Sequence, residues 1–422
     1  MSRTLEFYYD FSCPYAYLAS TQVRALAERA GVELTYEPFL LGGVFKAIGN
    51  DVGKRAGARL RTDAIDLMRW AEHWGVPLEP PPGHPNRTTT ALRAALASGD
   101  LPRATHALFH AYWVEKKNLA NPGELTEVLD RTGFEGARLV ARAQDDDMKA
   151  ELRRRTDAAL ARGIFGAPTF FVDGAMYWGQ DRLDFVARAL GLDGWDEPAD
   201  AFTHEAPTSP GASSPPPPPS EPGRTVEFWY DFASPYAYLG STQIEQVAAR
   251  ARGEVMWRPF LLGGLFRDIG TADVPIASYP EPKQRYSGME LERYARSYGV
   301  PFKFPSRFPV RSILPLRVAL ASGSNIARLS HAIFRAFWAD DRDIANPEEL
   351  ARVVAETGLD PTLVERASDQ AVKDELKRAG ERALELGLCG VPSFIIEGHV
   401  FWGQDRLNFV SKALRGWRPN VG

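Results

Sequence analysis

The sequence predicts an α/β fold built twice along one chain, each copy a small sheet with a helical insert. Three observations carry this reading. First, blocks recur in constant order: "YDFSCPYAYLAS" and "YDFASPYAYLGS", "PFLLGG" at Pro38 and Pro259, "LANPGEL" at Leu119 and "IANPEEL" at Ile344, "WGQDRL" at Trp178 and Trp402. Second, "DGWDEPADAFTHEAPTSPGASSPPPPPSEPGRT" breaks every periodicity between them and is too poor in apolar residues to order itself. Third, strand-like runs at both ends of each copy flank a long middle with three-and-four apolar spacing.

Domain boundaries follow: one copy over 1–192, a linker over 193–224 that spans on the order of 30 Å or more, and a second copy over 225–417. Duplication and fusion of a symmetric dimer would produce such a chain, because the linker raises the partner's effective concentration. An intramolecular pseudo-dimer is therefore expected, with side-by-side independent domains as the alternative.

Each copy opens with a strand, "TLEFYYD" or "TVEFWYD", rich in the β-branched and aromatic residues of a buried sheet. A helix follows in "YLASTQVRALAERAG", with Leu18, Val23, Leu26 and Ala27 on one stripe and a stop at Gly31. "VELTYEPF" reads as the second strand. From Phe45 to Gly163 the segments "AIDLMRWAEHWG", "ALRAALASG", "HALFHAYWVEKK" and "ELTEVLDRTG" form a helical insert. "GAPTFFVDGAMYWGQDRLDFVARAL" then reads as strand, Asp173-Gly174 turn, strand and final helix. The order βαβ, helices, ββα is that of a thioredoxin-like core with an inserted helical subdomain, twice.

Of the 422 residues, 44% are hydrophobic and 25% charged, and the net charge is −4. That balance argues against a nucleic-acid partner, which selects a concentrated basic face. No leader pattern and no run of eighteen apolar residues is present, so no membrane partner and a cytoplasmic location are expected. Cys13 and Cys389 are the only cysteines, too few for a disulfide framework.

The chemistry concentrates where the first strand of each copy runs into its helix. Cys13 and Ser234 stand directly before a proline there, and such a helix start aims its first N–H groups at solvent or at an anion. The ordinary role of Ser234 at this position is an N-cap. The loops "GAPTFF" and "GVPSFI" place Pro168 and Pro392 at the start of a strand, where a cis bond would be a deliberate feature. In a thioredoxin-like core this loop faces the helix start, and the backbone of Ala167 or Val391 is then placed to pair with an extended peptide.

The motifs "DFASPYAYLGS", "RPFLLGGLF", "PEPKQRYSGMELERYA", "GVPSFI" and "WGQDRL" resemble the 2-hydroxychromene-2-carboxylate isomerases and the kappa-class glutathione transferases, within the DsbA-like thioredoxin group. The resemblance covers both copies outside the linker. It implies glutathione as cofactor, a dimeric fold, and a serine before the proline that holds the glutathione sulfur as thiolate. Carried over by position, that serine is Ser234, with Cys13 in the matching place. The family's lysine corresponds to Lys283, where the first copy offers Arg59. The asparagine of the "GN" turn corresponds to Asn50, where the second copy has Thr271. Val391 and Ala167 match the backbone grip, and Asp405 with Arg406, twinned by Asp181 and Arg182, match the acid and base at the γ-glutamyl end. Each copy thus departs once from the family's polar clamp.

A thiol with a pKa near 8.5 must drop by about two units, roughly 2.7 kcal/mol, to be mostly nucleophilic at neutral pH. A helix start supplies about 0.3 to 2 kcal/mol and a hydrogen bond from Ser234 to the charged sulfur about 1.5 to 3, so no separate base is needed. Such a thiolate adds to an activated double bond, permits rotation, and leaves. Tyr15, Phe45 and Trp178, with Tyr236, Phe266 and Trp402, are placed either to stack on a flat aromatic substrate or to fill the core. At the same helix start the pKa of Cys13 is expected to fall, and a second thiolate would repel glutathione's, so the first copy is expected to be a poor isomerase site. Ala16 stands where a dithiol oxidoreductase would carry its second cysteine, leaving a mixed disulfide with glutathione or a packing role for Cys13. His106 and His110 have metal-pair spacing but no evident carboxylate partner, and no metal is expected. Cys389 reads as a buried small hydrophobe. The alternatives to an isomerase are a kappa-like transferase, a monothiol redox protein using Cys13, and a non-catalytic ligand-binding scaffold.

Overall fold

The computed structural model describes residues 3–50, 57–195 and 224–421; most of the expected linker, 196–223, lies outside the described residues. In the first repeat β1 (Thr4–Tyr9), α1 (Pro14–Ala30) and β2 (Glu33–Pro38) are followed by α2 (Leu41–Ala47), α3 (Gly57–Trp74), α4 (Thr89–Ala97), α5 (Leu101–Trp113), α6 (Pro122–Arg131), α7 (Gly136–Arg142) and α8 (Asp146–Ala161). Strands β3 (Thr169–Val172) and β4 (Ala175–Trp178) and helix α9 (Leu183–Ala189) complete it. The second repeats the order with β5 (Thr225–Tyr230), α10 (Pro235–Arg250), β6 (Glu254–Pro259), α11 (Leu262–Asp268), α12 (Glu281–Ser297), α13 (Ile313–Ala321), α14 (Ile326–Trp338), α15 (Pro347–Glu356), α16 (Leu363–Arg366), α17 (Gln370–Glu385), β7 (Ser393–Ile396), β8 (His399–Trp402) and α18 (Leu407–Leu414).

Each sheet has four strands, ordered β2-β1-β3-β4 and β6-β5-β7-β8. β1 runs parallel to β2 and antiparallel to β3, so the βαβ crossover and the terminal hairpin share one central strand. Strand alternation sends Phe7 and Tyr9 to one face. Phe7 stacks on Phe170 with ring centroids 5.5 Å apart, and the Tyr9 hydroxyl meets Thr105 of α5 at 2.5 Å. In the second sheet Phe228 stacks on Phe394 at 5.5 Å and Tyr230 bonds Ser330 of α14 at 2.6 Å. Burial of each such ring contributes about 1.5 to 3 kcal/mol, and the paired hydroxyls satisfy the one polar atom that each tyrosine takes into the core.

The local signals act as their chemistry dictates. α1 ends at Gly31 with φ +63°, the left-handed cap that glycine adopts without a Cβ penalty. Asp173 and Gly174 both have positive φ, +49° and +80°, which turns β3 tightly into β4.

Two compact units result. One comprises Met1–Gly53, Leu67–Glu197 and Pro280–Lys283, the other Lys54–Asp66, Pro198–Tyr279 and Gln284–Gly422. Each unit therefore contains a short piece of the other repeat's helical insert. Among the described residues no helix is long and apolar enough to cross a membrane.

Candidate active site

The turn between β5 and α10 is held from several sides. Trp338 of α14 donates its indole N–H to the Phe232 carbonyl at 2.8 Å, and the Ser234 amide closes onto the Asp231 carbonyl at 3.1 Å. Pro235 opens the helix, where its missing N–H costs nothing. Ser234 is then the N-cap: its Oγ accepts from the Ala237 amide at 3.2 Å, and its hydroxyl lies 3.4 Å from the Val391 carbonyl. The bonds join the helix start to the loop before Pro392, whose peptide bond with Val391 is cis. The Ser393 hydroxyl donates to the Gly390 carbonyl and the Gly403 amide to the Pro392 carbonyl, at 2.8 and 2.9 Å, which braces the loop. Ser234 is only 6% exposed.

Cys13 occupies the matching place with different bonding. Its Sγ donates to the Ala167 carbonyl at 3.1 Å and makes no cap bond to α1. The sequence reading expected a lowered pKa; instead burial pushes the thiol up to about 12, outweighing the helix-start amides of Ala16 and Tyr15 that pull it down, while the Asp10 carboxylate raises it further. A buried sulfur loses more from desolvation than one helix end returns. Cys13 is therefore a neutral thiol.

The clamp residues are distributed differently from the expectation that each repeat supplies its own. Arg59, assigned to the Cys13 copy, lies in the unit that carries Ser234, with its guanidinium carbon 3.8 Å from the centre of the Trp402 ring and its Nε 2.8 Å from Asp63. Lys283, assigned to the Ser234 copy, lies in the other unit, its Nζ 5.3 Å from the Trp178 ring centre. Both are cation–π contacts of the kind that fixes a cation over an aromatic face. Arg59 consequently covers one face of Trp402, a residue expected to stack on substrate. Sequence order misassigned the pair because α3 and α12 are each divided between the units.

Asp405 and Arg406 sit just beyond β8. The Asp405 carboxylate folds over Gly403, whose φ of +109° suits glycine and where a Cβ would stand 2.4 Å from Oδ1. Arg406 bonds Asp405 at 3.2 Å and grips Asp66 of α3 with two bonds. Arg182 and Asp181 form the twin pair at 3.1 Å. Asp66 was missed from the sequence. Its signal was the repeat itself, since Glu290 stands at the same place in α12 and both positions keep a carboxylate.

Of the remaining candidates, the Asn50 amide donates to the Phe45 carbonyl and the Thr271 amide to the Phe266 carbonyl, the 6→1 closure that follows a glycine helix end. Phe266 is buried, whereas Phe45, Tyr15 and Tyr236 are half-buried. Cys389 is buried and its thiol is raised by burial, against a hydrogen bond with Thr62 and the nearby Arg59 charge. His106 bonds the Tyr36 hydroxyl at 2.9 Å and His110 pairs with Glu115 at 3.0 Å, so the two imidazoles engage different partners.

Comparison with known proteins agrees with this architecture. The model of the DSBA-like thioredoxin domain matches residues 4–191 and again 225–415. The 2-hydroxychromene-2-carboxylate isomerase of Sphingobium xenophagum is 30% identical over 193 residues, 45% of this chain and 99% of the relative. The protein of the same name from Pseudomonas putida is 31% identical over 44% of this chain and 94% of its own length. Glutathione S-transferase kappa 1 of Caenorhabditis elegans is 29% identical over 44% and 90%. Each alignment takes up about one repeat, and the relatives are enzymes. The chain belongs to the DSBA-like thioredoxin domain family as a tandem pair, in the branch of the 2-hydroxychromene-2-carboxylate isomerases and kappa-class glutathione transferases.

Proposed function

We propose that the unit carrying Ser234 is a glutathione-dependent cis-trans isomerase of the 2-hydroxychromene-2-carboxylate isomerase type, acting on a small aromatic intermediate. The Ser234 hydroxyl carries the reading: it accepts from the start of α10 at 3.2 Å and lies beside the Val391 carbonyl. Accepting the Ala237 N–H polarises the hydroxyl, so its own hydrogen becomes a better donor. The residues fit glutathione. A hydroxyl at a helix start suits a sulfur anion, the backbone of Val391 beside Pro392 suits an extended peptide, and the paired charges of Arg406, Asp405 and Asp66 suit a zwitterionic γ-glutamyl end.

Bound glutathione supplies a thiol that adds to a conjugated double bond and leaves after rotation. Ser234 turns its hydrogen from the Val391 carbonyl toward the sulfur and stabilises negative charge there, with α10 adding its positive end. Arg59 and Arg406 offer guanidinium N–H donors to the carboxylates of peptide and substrate. Asp66 and Asp405 hold Arg406 in orientation. In the other unit a neutral, carbonyl-bonded thiol replaces the hydroxyl donor, so the Cys13 site contributes little turnover. The proposal includes a reducing cytoplasmic setting and pairing of the two copies as a pseudo-dimer.

The test uses the purified full chain with an ortho-hydroxybenzylidene pyruvate, or its chromene form, with and without glutathione, followed by absorbance and by thiol titration. Interconversion that needs glutathione and leaves its thiol concentration unchanged is expected. Stoichiometric loss of thiol would instead mark the conjugating activity named for the kappa-class relatives. Equal rates without glutathione overturn the reading.

A further inference from the structure

Three residues before the N-cap of α1 and of α10, the chain buries an aspartate. Asp10 and Asp231 are each 1% exposed. The Asp231 carboxyl accepts from the Ala233 amide at 2.9 Å through Oδ1 and from the Leu262 amide at 2.9 Å through Oδ2; burial raises its pKa, and the Ala233 amide, the nearby Ser312 side chain and the Leu262 amide pull against that rise. Asp10 repeats the arrangement. Its Oδ1 accepts from the Ser12 amide at 3.1 Å and the Thr88 hydroxyl at 2.6 Å, and its Oδ2 from the Leu41 amide at 2.9 Å. Both repeats keep the cradle.

The donors are helix starts. Leu262 is the first residue of α11, whose N-cap, Leu261, has no side-chain acceptor to offer. Asp231 supplies that cap from another segment. Ser312, the N-cap of α13, makes no cap bond to its own helix, and its side chain lowers the pKa of the Asp231 carboxyl. A third donor, Ala233, directly precedes Ser234. One buried carboxyl group thus joins the start of α11 to the turn that opens α10, with the α11 amide and the Ala233 amide satisfying its oxygens. The same residue's carbonyl takes the Ser234 amide.

We propose that Asp231 is the positioning residue of the site: it fixes the turn so that the Ser234 hydroxyl stays in line with the Ala237 amide. The inference rests on the use of Ser234 proposed above. In its ionised form the carboxylate would act electrostatically in the opposite sense, because an anion near the helix start raises the pKa of a thiol held there. Geometry and charge therefore predict changes of opposite sign when the carboxylate is neutralised.

The experiment compares the full-length wild type with Asp231→Asn. Without glutathione, amide hydrogen exchange across 234–240 is expected to accelerate at least about tenfold at Ala237 as the cap bond loosens. With glutathione, thiolate absorbance against pH is expected to show the bound thiol's pKa rising by about one unit. An unchanged or lowered thiol pKa, with unchanged exchange, overturns the proposal. Should Asp231→Asn fail to fold, Ser312→Ala, which removes the hydroxyl beside the carboxyl and no charge, must move exchange and pKa in the same directions by a smaller amount; a folded Ser312→Ala that moves neither also overturns it. If the wild type itself binds no thiolate, the functional reading fails, while the exchange measurement still decides the positioning role.

Discussion

Arg406 holds Asp66 in a two-bond grip, with Nε to Oδ1 at 2.6 Å and the terminal nitrogen to Oδ2 at 2.7 Å, and this ties α3 to the segment that follows β8. The side chains keep only 11% and 18% of their exposure. Asp66→Ala removes a two-bond acid partner from a largely buried guanidinium that also pairs with Asp405. The expected loss is about 2 kcal/mol, below the 3 to 5 of a fully buried pair because both groups retain some water. Urea unfolding should report it, together with weaker glutathione binding by calorimetry.

Ser234→Ala removes two functions at once. Loss of the cap costs about 1 kcal/mol of stability, and loss of the donor costs a bound thiolate about 1.5 to 3 kcal/mol, a fall of roughly tenfold to a hundredfold in rate. Cys13→Ser should leave the rate nearly unchanged. Initial rates and unfolding curves for both variants check this, and the reverse pattern would assign turnover to the wrong unit.

The buried thiol of Cys13 makes a pH prediction with a definite sign. Its folded pKa is raised from 9.0 to about 12 by burial, so the fold favours the protonated form. The stability this confers is complete below pH 9 and is lost as pH climbs toward 12. Iodoacetamide at pH 8 should therefore leave Cys13 unmodified in the native protein and label it after denaturation, as mass spectrometry of the peptide would show.

Gly166 and Gly390 make an unequal pair. A Cβ at Gly166 would stand 2.4 Å from the Trp178 Nε1, whereas at Gly390 the distance to the Trp402 Nε1 is 2.9 Å. Both indoles must shift to accept alanine, the first by more. Gly166→Ala is expected to cost about 1 to 3 kcal/mol and Gly390→Ala less, and tryptophan fluorescence during unfolding distinguishes them.

The sequence carried what depends on near neighbours. The stop at Gly31, the Asp173-Gly174 turn and the capping place of Ser234 are each decided within a few residues. The repeat extended this to long range, because matched blocks fix matched strands. What escaped depends on packing between distant segments. Asp66 on a helix face reads as a solvated carboxylate until Arg406 is placed opposite. Asp231 reads as a turn residue until Leu262 and Ser312 converge on it. The neutral state of Cys13 follows from the depth of its burial, which residue type alone does not encode.

The unit built around Ser234 takes in Lys54–Asp66, of which 57–66 are described, and with them Arg59 and Asp66. A fragment beginning at Thr225 would lack both. Selection for the turnover proposed at the serine would therefore act on genetic material more than one hundred and fifty codons upstream, beyond the proline-rich spacer. Under the proposed function, the copy carrying Cys13 is thereby kept as a lender of parts: deletion of its coding sequence would strip the serine's unit of Arg59 and Asp66.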